Sequence, residues 1–331
     1  MKNKVKRRVR LALLAACCFL LAHALIISPI VTVSIYESIF HKRHQTPPEL
    51  RFSVEEYAGL RMERSDFPSA GATLAGYCYA KDTERFKGVL IIAHGLGNGQ
   101  NAYMPLVNEF ASNGYAVFAY DARGSDNSEG DAVRGLPQGV IDLDNAICHA
   151  KSLEEYRDLP IVLLGHSWGG YAVGSVLALH PDVKAAVIVA GFNESEDMLL
   201  HRSEQVVGAI ARVTMPYLKL YEWIKFGRRY ADLSAVQGMG QTEAGILILH
   251  SSDDATVPVG YGYDTFYAQF GGDDRFRFIL YEDRGHNDLL YAKEALAYRA
   301  EHADKERCYT PNPELVEQAL ALFDAYCGVD Q

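Results

Sequence analysis

The chain opens with one long apolar block and then settles into short apolar runs separated by turns. Leu11 to Tyr36 spans 26 residues without Asp, Glu, Lys or Arg. As a helix it reaches about 39 Å at about 1.5 Å per residue, enough for a hydrocarbon core of about 30 Å. His41–Glu55 is polar and carries Pro47-Pro48, which reads as a linker. Two extended stretches follow, Leu60–Arg64 and Thr73–Ala80, with turn residues around Pro68 and Gly71 between them. Six further runs read as strands: Gly88–Ala93, Ala116–Tyr120, Ile161–Leu164, Val183–Ala190, Ile246–His250 and Phe276–Tyr281. Helical patterns fall at Tyr103–Asn113, Gln138–Leu153, Trp168–His180, Gly260–Phe270 and Pro313–Tyr326. Such alternation predicts an α/β fold, a mainly parallel sheet with helices on both faces. Residues 191–240 break the rhythm. Their helical pattern is rich in large apolar groups (Met198, Leu199, Leu200, Met215, Tyr217, Leu218, Tyr221, Trp223) and reads as a helical cap inserted between two strands.

Charge sharpens this picture. The net charge of -10 conceals six basic residues within the first ten, Lys2 to Arg10, and no acidic residue before Glu37. Beyond residue 10 stand 26 basic against 42 acidic residues, a net of -16. So acidic a body excludes nucleic acid as a partner, because phosphate binding needs a positive surface. The basic cluster predicts that residues 1–10 stay in the cytoplasm and 11–36 form a transmembrane signal-anchor, with 37–59 a linker and 60–331 a body outside. The rival reading is secretion after cleavage at Ala22-His23-Ala24, and Leu14-Ala15-Ala16-Cys17 resembles a lipobox. Continuation of the apolar run past both sites, through Ile26, Ile30, Val31 and Ile35, favours an uncleaved helix that Pro29 bends without breaking. Four cysteines lie in the body and none forms C-x-x-C, so neither a metal site nor a redox motif is expected. Cys308 and Cys327 either pair outside the cytoplasm or remain buried thiols.

The chemistry gathers at predicted strand ends, where an open α/β sheet places its site. Gly165-His166-Ser167-Trp168-Gly169 stands between a strand and a helix, the pattern of a tight turn that exposes a serine hydroxyl. A serine capping a helix is the bland alternative. Ser167 needs a base to act as a nucleophile, and order along the chain selects among 11 histidines. His286, in Glu282-Asp283-Arg284-Gly285-His286, follows the last strand and is the base candidate. Asp254 follows the strand before it and is the acid candidate, with Asp253 the close alternative. His94 and His166 flank glycine turns and shape the site, and His302 lies in a charged helical stretch. The amides of Leu96, in His94-Gly95-Leu96-Gly97, and of Trp168 are the candidate oxyanion donors.

His94-Gly95, Asp121-Ala122-Arg123-Gly124, Gly165–Gly169, Asp254-x-x-Val257-Pro258 and Gly285-His286, in this order, resemble the α/β-hydrolase superfamily. Within it the likeness is to the monoacylglycerol lipase, lysophospholipase and serine-aminopeptidase-like group, over residues 60 to 328 or so. The resemblance implies Ser167 as nucleophile, Asp254 as acid, His286 as base, Leu96 and Trp168 as oxyanion donors, and no cofactor. It departs at Asp126, where many relatives carry glycine. The expectation is a membrane-anchored serine hydrolase cleaving carboxylic esters, medium-length acyl or lysolipid-like. A peptidase, amidase or thioesterase would use the same residues. Two further alternatives are a silent binding protein of the same fold and a dinucleotide oxidoreductase, since Gly95-Leu96-Gly97-Asn98-Gly99-Gln100 half resembles a nucleotide fingerprint.

Overall fold

Short β-branched and aromatic runs assemble the expected sheet in a computed structural model that describes residues 2–302 and 304–328. Met1 and residues 329–331, the outer ends of the expected segments, lie outside the described residues. The strands are β1 Arg61–Arg64, β2 Phe67–Ser69, β3 Ala72–Leu74, β4 Gly76–Ala80, β5 Val89–Ala93, β6 Ala116–Tyr120, β7 Ile161–His166, β8 Ala185–Val189, β9 Gly245–Ser251 and β10 Phe276–Tyr281. Eight of them form one sheet in the order β1-β4-β6-β5-β7-β8-β9-β10. β1 and β4 run antiparallel at one edge, and the others are parallel. Thr73–Ala80, read as one stretch, divides at Ala75. Its first half pairs with β2 and its second joins the main sheet.

Alternate residues of each central strand enter opposite cores, as the pleat requires. Val89, Ile91, Leu163, Phe118 and Ile188 face one side, and Leu90, Ile92, Val162, Leu164 and Leu247 face the other. The helices covering these faces are α3 Met104–Ser112, α4 Pro137–Ser152, α5 Trp168–Val176, α10 Tyr263–Phe270, α11 Lys293–Arg299, α12 Lys305–Cys308 and α13 Pro313–Cys327. Between β8 and β9 lie α6 Ser195–Val207, α7 Ala211–Phe226, α8 Arg228–Ala231 and α9 Ala235–Gly240. Helix α11 ends at Arg299, short of His302, whose ring instead stacks on Tyr298 at 3.9 Å. Cys308 and Cys327 are both free thiols. The sheet order supplies the site. Because β5 sits between β6 and β7, its two connections diverge, and a crevice opens at the carboxyl ends of β5 and β7.

The apolar N-terminus is helical from Lys2 to Phe40, as α1 Lys2–Ala22 and α2 Ser28–Phe40 joined by a π-turn at His23–Ile27. In the turn, the Ser28 N–H donates to the carbonyl of His23, one residue further back than in an α-helix. The π-turn widens the helix just before Pro29, whose ring would otherwise crowd the preceding turn. The apolar residues of α1 face outward, whereas Thr32, Tyr36 and Phe40 of α2 are buried along one stripe. That stripe packs on α7. The Tyr36 hydroxyl donates to Glu222 at 3.0 Å, Tyr221 donates to Glu37 at 2.6 Å, and Lys225 pairs with Glu37. Residues 37–59, read from sequence as a linker, are likewise bound to the body. Arg43 donates to the carbonyls of Asp126 and Ser128, each at 2.8 Å, and the Thr46 hydroxyl donates to the Asp126 carboxylate at 2.6 Å. The sequence contained no sign of this docking, because a polar segment with two prolines reads the same whether it is solvated or held.

Glu222 is wholly buried, and among the described residues its Oε1 is held by Tyr36 and Ser195 alone. Removing one donor from a buried carboxyl costs about 1–3 kcal/mol. Tyr36→Phe is therefore expected to lower Tm by several degrees in thermal denaturation, and an unchanged Tm would show that this bond adds nothing to stability.

Candidate active site

Ser167 stands where β7 turns into α5, with φ 57 and ψ -116, a region that side chains disfavour. The turn is possible because glycines flank it. A Cβ on Gly165 would come within 2.2 Å of the Gly169 carbonyl, and one on Gly169 within 2.0 Å of the Ala93 carbonyl. Strands β5 and β7 and helix α5 therefore meet at backbone contact. The Ser167 N–H donates to Val189 at 2.8 Å, which fastens the turn to β8.

Ser167, His286 and Asp254 come together across three loops. The Ser167 hydroxyl lies 2.8 Å from His286 Nε2, and His286 Nδ1 lies 2.7 Å from Asp254 Oδ2. Asp254 Oδ1 accepts the Thr256 and Val257 amides at 2.8 and 2.9 Å. Burial alone would raise the Asp254 carboxyl. Hydrogen bonds from His250 and His286, the charge interaction with His286 and the Val257 amide outweigh it and hold the group well below the usual carboxylate range. Asp253 does something else. It accepts from the Ser251 hydroxyl and from the Gly285 N–H at 2.8 Å, which ties the histidine loop to the end of β9.

Two other histidines hold the frame. Ala122 N–H donates to His94 Nε2 at 2.8 Å, so Nδ1 carries the proton that the Gly95 carbonyl accepts, also at 2.8 Å. A chain of bonds crosses the site through Tyr103. The Gly95 N–H donates to the Tyr103 hydroxyl at 2.9 Å, that hydroxyl meets His166 Nδ1 at 2.9 Å, and His166 Nε2 reaches the His286 carbonyl at 3.1 Å. Burial pushes His94 down to about 4, and burial with the neighbouring His286 pushes His166 down to about 3. Both stay neutral at ordinary pH. Neither Tyr103 nor His250 was legible in the sequence as part of the site, since nothing but the folded loops brings them to it.

Leu96 and Trp168 line the same cavity as Ser167 and His286, a space of about 690 Å³ within the usual range for small-molecule sites. The Trp168 amide begins α5 and belongs to the first turn, which has no partner within the helix. Of the eight cap residues singled out from sequence, Met198 and Leu199 line the cavity. Met215 and Leu218 enter the core, Tyr221 binds Glu37, and Trp223 donates to Asp232. Part of the wall comes from unexpected places: Ile39, Phe40, Pro47, Glu49 and Leu50 near the N-terminus, and Arg299 and Tyr309 near the C-terminus.

The Gly95–Gly99 turn does not offer a phosphate cradle. A Cβ on Gly99 would meet the Asp126 carboxylate at 2.1 Å and that of Asp121 at 2.6 Å, so the loop packs against acids. Burial pushes Asp121 up to about 6, and its oxygens already accept the Gln100 and Asn127 amides. Asp144, Cys148 and His180 approach closely enough to share a metal, but none of them lines the cavity. Lys151 and Arg229 crowd the same carboxylate and imidazole, which makes the cluster an ion-pair network.

Residues 84–243 match the family of serine aminopeptidases, S33. A monoacylglycerol lipase of Mycolicibacterium smegmatis is 26% identical over 234 residues, covering 61% of this chain and 82% of that protein. The human monoglyceride lipase is 33% identical over a shorter stretch of 93 residues, 28% of this chain and 30% of that one. Among solved structures, an esterase of Pyrococcus furiosus superposes with a TM-score of 0.62 at 14% identity, over 87% of this chain and all of that one. The chain has the α/β-hydrolase fold. Within that superfamily it is similar to the esterase- and lipase-like group that contains the monoacylglycerol lipases.

The titration of this array can be stated in advance. Asp254 is held well below the usual carboxylate range, and His94 and His166 well below the usual imidazole range. None of the three should therefore change charge between about pH 6 and 8, and none should contribute a limb to the kcat/KM profile in that window. A limb that disappears from that window on His166→Asn replacement would show that His166 titrates there.

Proposed function

We propose that the protein is a membrane-anchored serine esterase that cleaves medium-length acyl or lysolipid-like carboxylic esters through an acyl-enzyme. The observation carrying this reading is the hydrogen-bonded line Ser167–His286–Asp254 opening onto a largely apolar cavity. Ser167 Oγ attacks the ester carbonyl as His286 Nε2 takes its proton. Asp254 keeps the imidazole in the required tautomer and stabilises its charged form. The amides of Leu96 and Trp168 receive the negative oxygen of the tetrahedral intermediate. His286 returns the proton to the departing alcohol, and water then releases the acid by the same steps. Phe40, Leu50, Leu136, Phe192, Met198 and Leu199 present hydrocarbon to the substrate, which suits an acyl chain better than a charged peptide.

A peptidase reading has its own support in the serine aminopeptidase match and in Glu49 and Asp288, two acids on the cavity wall able to meet an ammonium group. A series of p-nitrophenyl esters of rising chain length beside aminoacyl p-nitroanilides separates the two. Esters should turn over faster, and Ser167→Ala should reduce turnover by about 10³-fold or more. Faster anilide cleavage would favour the peptidase, and wild-type rates in the Ser167 variant would end the mechanism.

The proposed topology places residues 1–10 in the cytoplasm and the body outside. The helix from Lys4 to Phe40 is long and apolar enough to cross a membrane. Because Thr32 and Tyr36 are covered by protein, Leu11 to about Val31 suffices as the span, roughly 31 Å at about 1.5 Å per residue. Protein retained in the membrane pellet after alkaline carbonate washing, with its N-terminus intact, is the expected result. A mature chain beginning at Leu25 would instead show secretion.

A further inference from the structure

We propose that residues 39–50, the end of the N-terminal helix and the strap after it, form the wall that selects the acyl chain. The site is then complete only with this segment docked, and it takes single-chain acyl esters directly from the bilayer face beside the helix. The inference rests on the esterase reading for its chemistry and on the strap's geometry for its location.

Ile39, Phe40, Pro47 and Leu50 line the cavity that contains Ser167 and His286. Phe40 is 3% exposed and belongs to the core, whereas Ile39 beside it is 42% exposed. One residue therefore seals the cavity while its neighbour stands at the edge. The strap is held in register with the reacting groups. The Thr46 hydroxyl accepts the Gly99 N–H at 2.7 Å, which bonds the strap to the loop that begins at Gly95 and Leu96. His44 N–H donates to Gly124 at 2.8 Å, Asp126 N–H donates to His44 at 3.1 Å, and Lys305 sits over Phe52 at 4.1 Å. A linker that merely tethered the body would not be bonded at so many points.

The strap is also continuous with the helix proposed to cross the membrane. Ile39 follows Tyr36 by three residues, about 4.5 Å of helix at about 1.5 Å per residue. It follows Val31 by eight, about 12 Å. The edge of the cavity thus lies about 5–12 Å from the hydrocarbon boundary. Each methylene that must pass through water lowers the transferable population about fourfold. A 12-carbon chain therefore gains greatly from an entrance at the bilayer surface, and a four-carbon chain gains little. The wall should discriminate by chain length.

Full-length protein in phosphatidylcholine vesicles is the material for the test. Ile39→Trp and Leu50→Trp should lower kcat/KM for p-nitrophenyl laurate at least tenfold more than for the butyrate. Equal loss on both esters would reduce these positions to structural support and overturn the proposal, as would no loss on either. A second arm does not need turnover. In the Ser167→Ala protein, a 12-carbon monoacyl glycerol carrying a terminal diazirine should crosslink to the peptide containing Ile39 to Leu50. Crosslinks confined to α6, or absent, would refute the wall. Crosslinking to this peptide without any ester hydrolysis by the wild type would sink the esterase reading and leave the wall standing.

Discussion

The structure depends on one tight turn. At Ser167 the chain leaves β7 and enters α5 through a backbone conformation that glycine favours and serine tolerates only under constraint. The constraint is contact: strands β5 and β7 approach α5 so closely that Gly165 and Gly169 have no room for a Cβ. Tight packing of this kind aims the hydroxyl out of the sheet at the crevice where the strand order reverses. Everything else in the site is arranged around that fixed point.

Electrostatics complete what packing begins. A single ionised carboxylate, Asp254, is kept in a buried position by two backbone amides and two imidazoles. The other histidines near it are buried and neutral, so they position groups without competing for the proton. His166 illustrates the economy of the design. It precedes the serine in sequence, accepts from Tyr103 and holds the backbone of His286, so one ring connects the turn after β7 to Tyr103 and to the loop of His286.

The N-terminal segment is integrated by a substitution at a loop position. Asp126 occupies a positive-φ site, φ 31, where glycine is the usual solution. Its carboxylate accepts from both the N–H and the hydroxyl of Thr46, so conformational cost in the loop is offset by charge-assisted bonds to the strap. A departure from the superfamily pattern thus coincides with a bonded connection between an apolar helix and the cavity. Glu222 plays the corresponding part on the cap, accepting from Tyr36 of the helix.

Much of this was legible without coordinates, for identifiable reasons. Strand and helix positions follow from local periodicity, and β6 and β10 coincide with the runs Ala116–Tyr120 and Phe276–Tyr281. The residues on the turns after β5, β7, β9 and β10 were recognisable because their chemistry is tied to strand ends. Asp253 and Asp254 could not be separated by sequence, since neighbouring acids have identical local signals. Only the fold turns one toward His286 and the other toward Gly285. The division at Ala75, the use of α7 for core packing and the wall built from residues 39–50 were equally hidden. Sequence by itself determined which elements form and which chemistry they carry, because those depend on neighbours along the chain. Tertiary structure decided what encloses the cavity, because a side chain buried by a partner some 180 positions away, as Tyr36 is by Glu222, leaves no periodic trace of that partner.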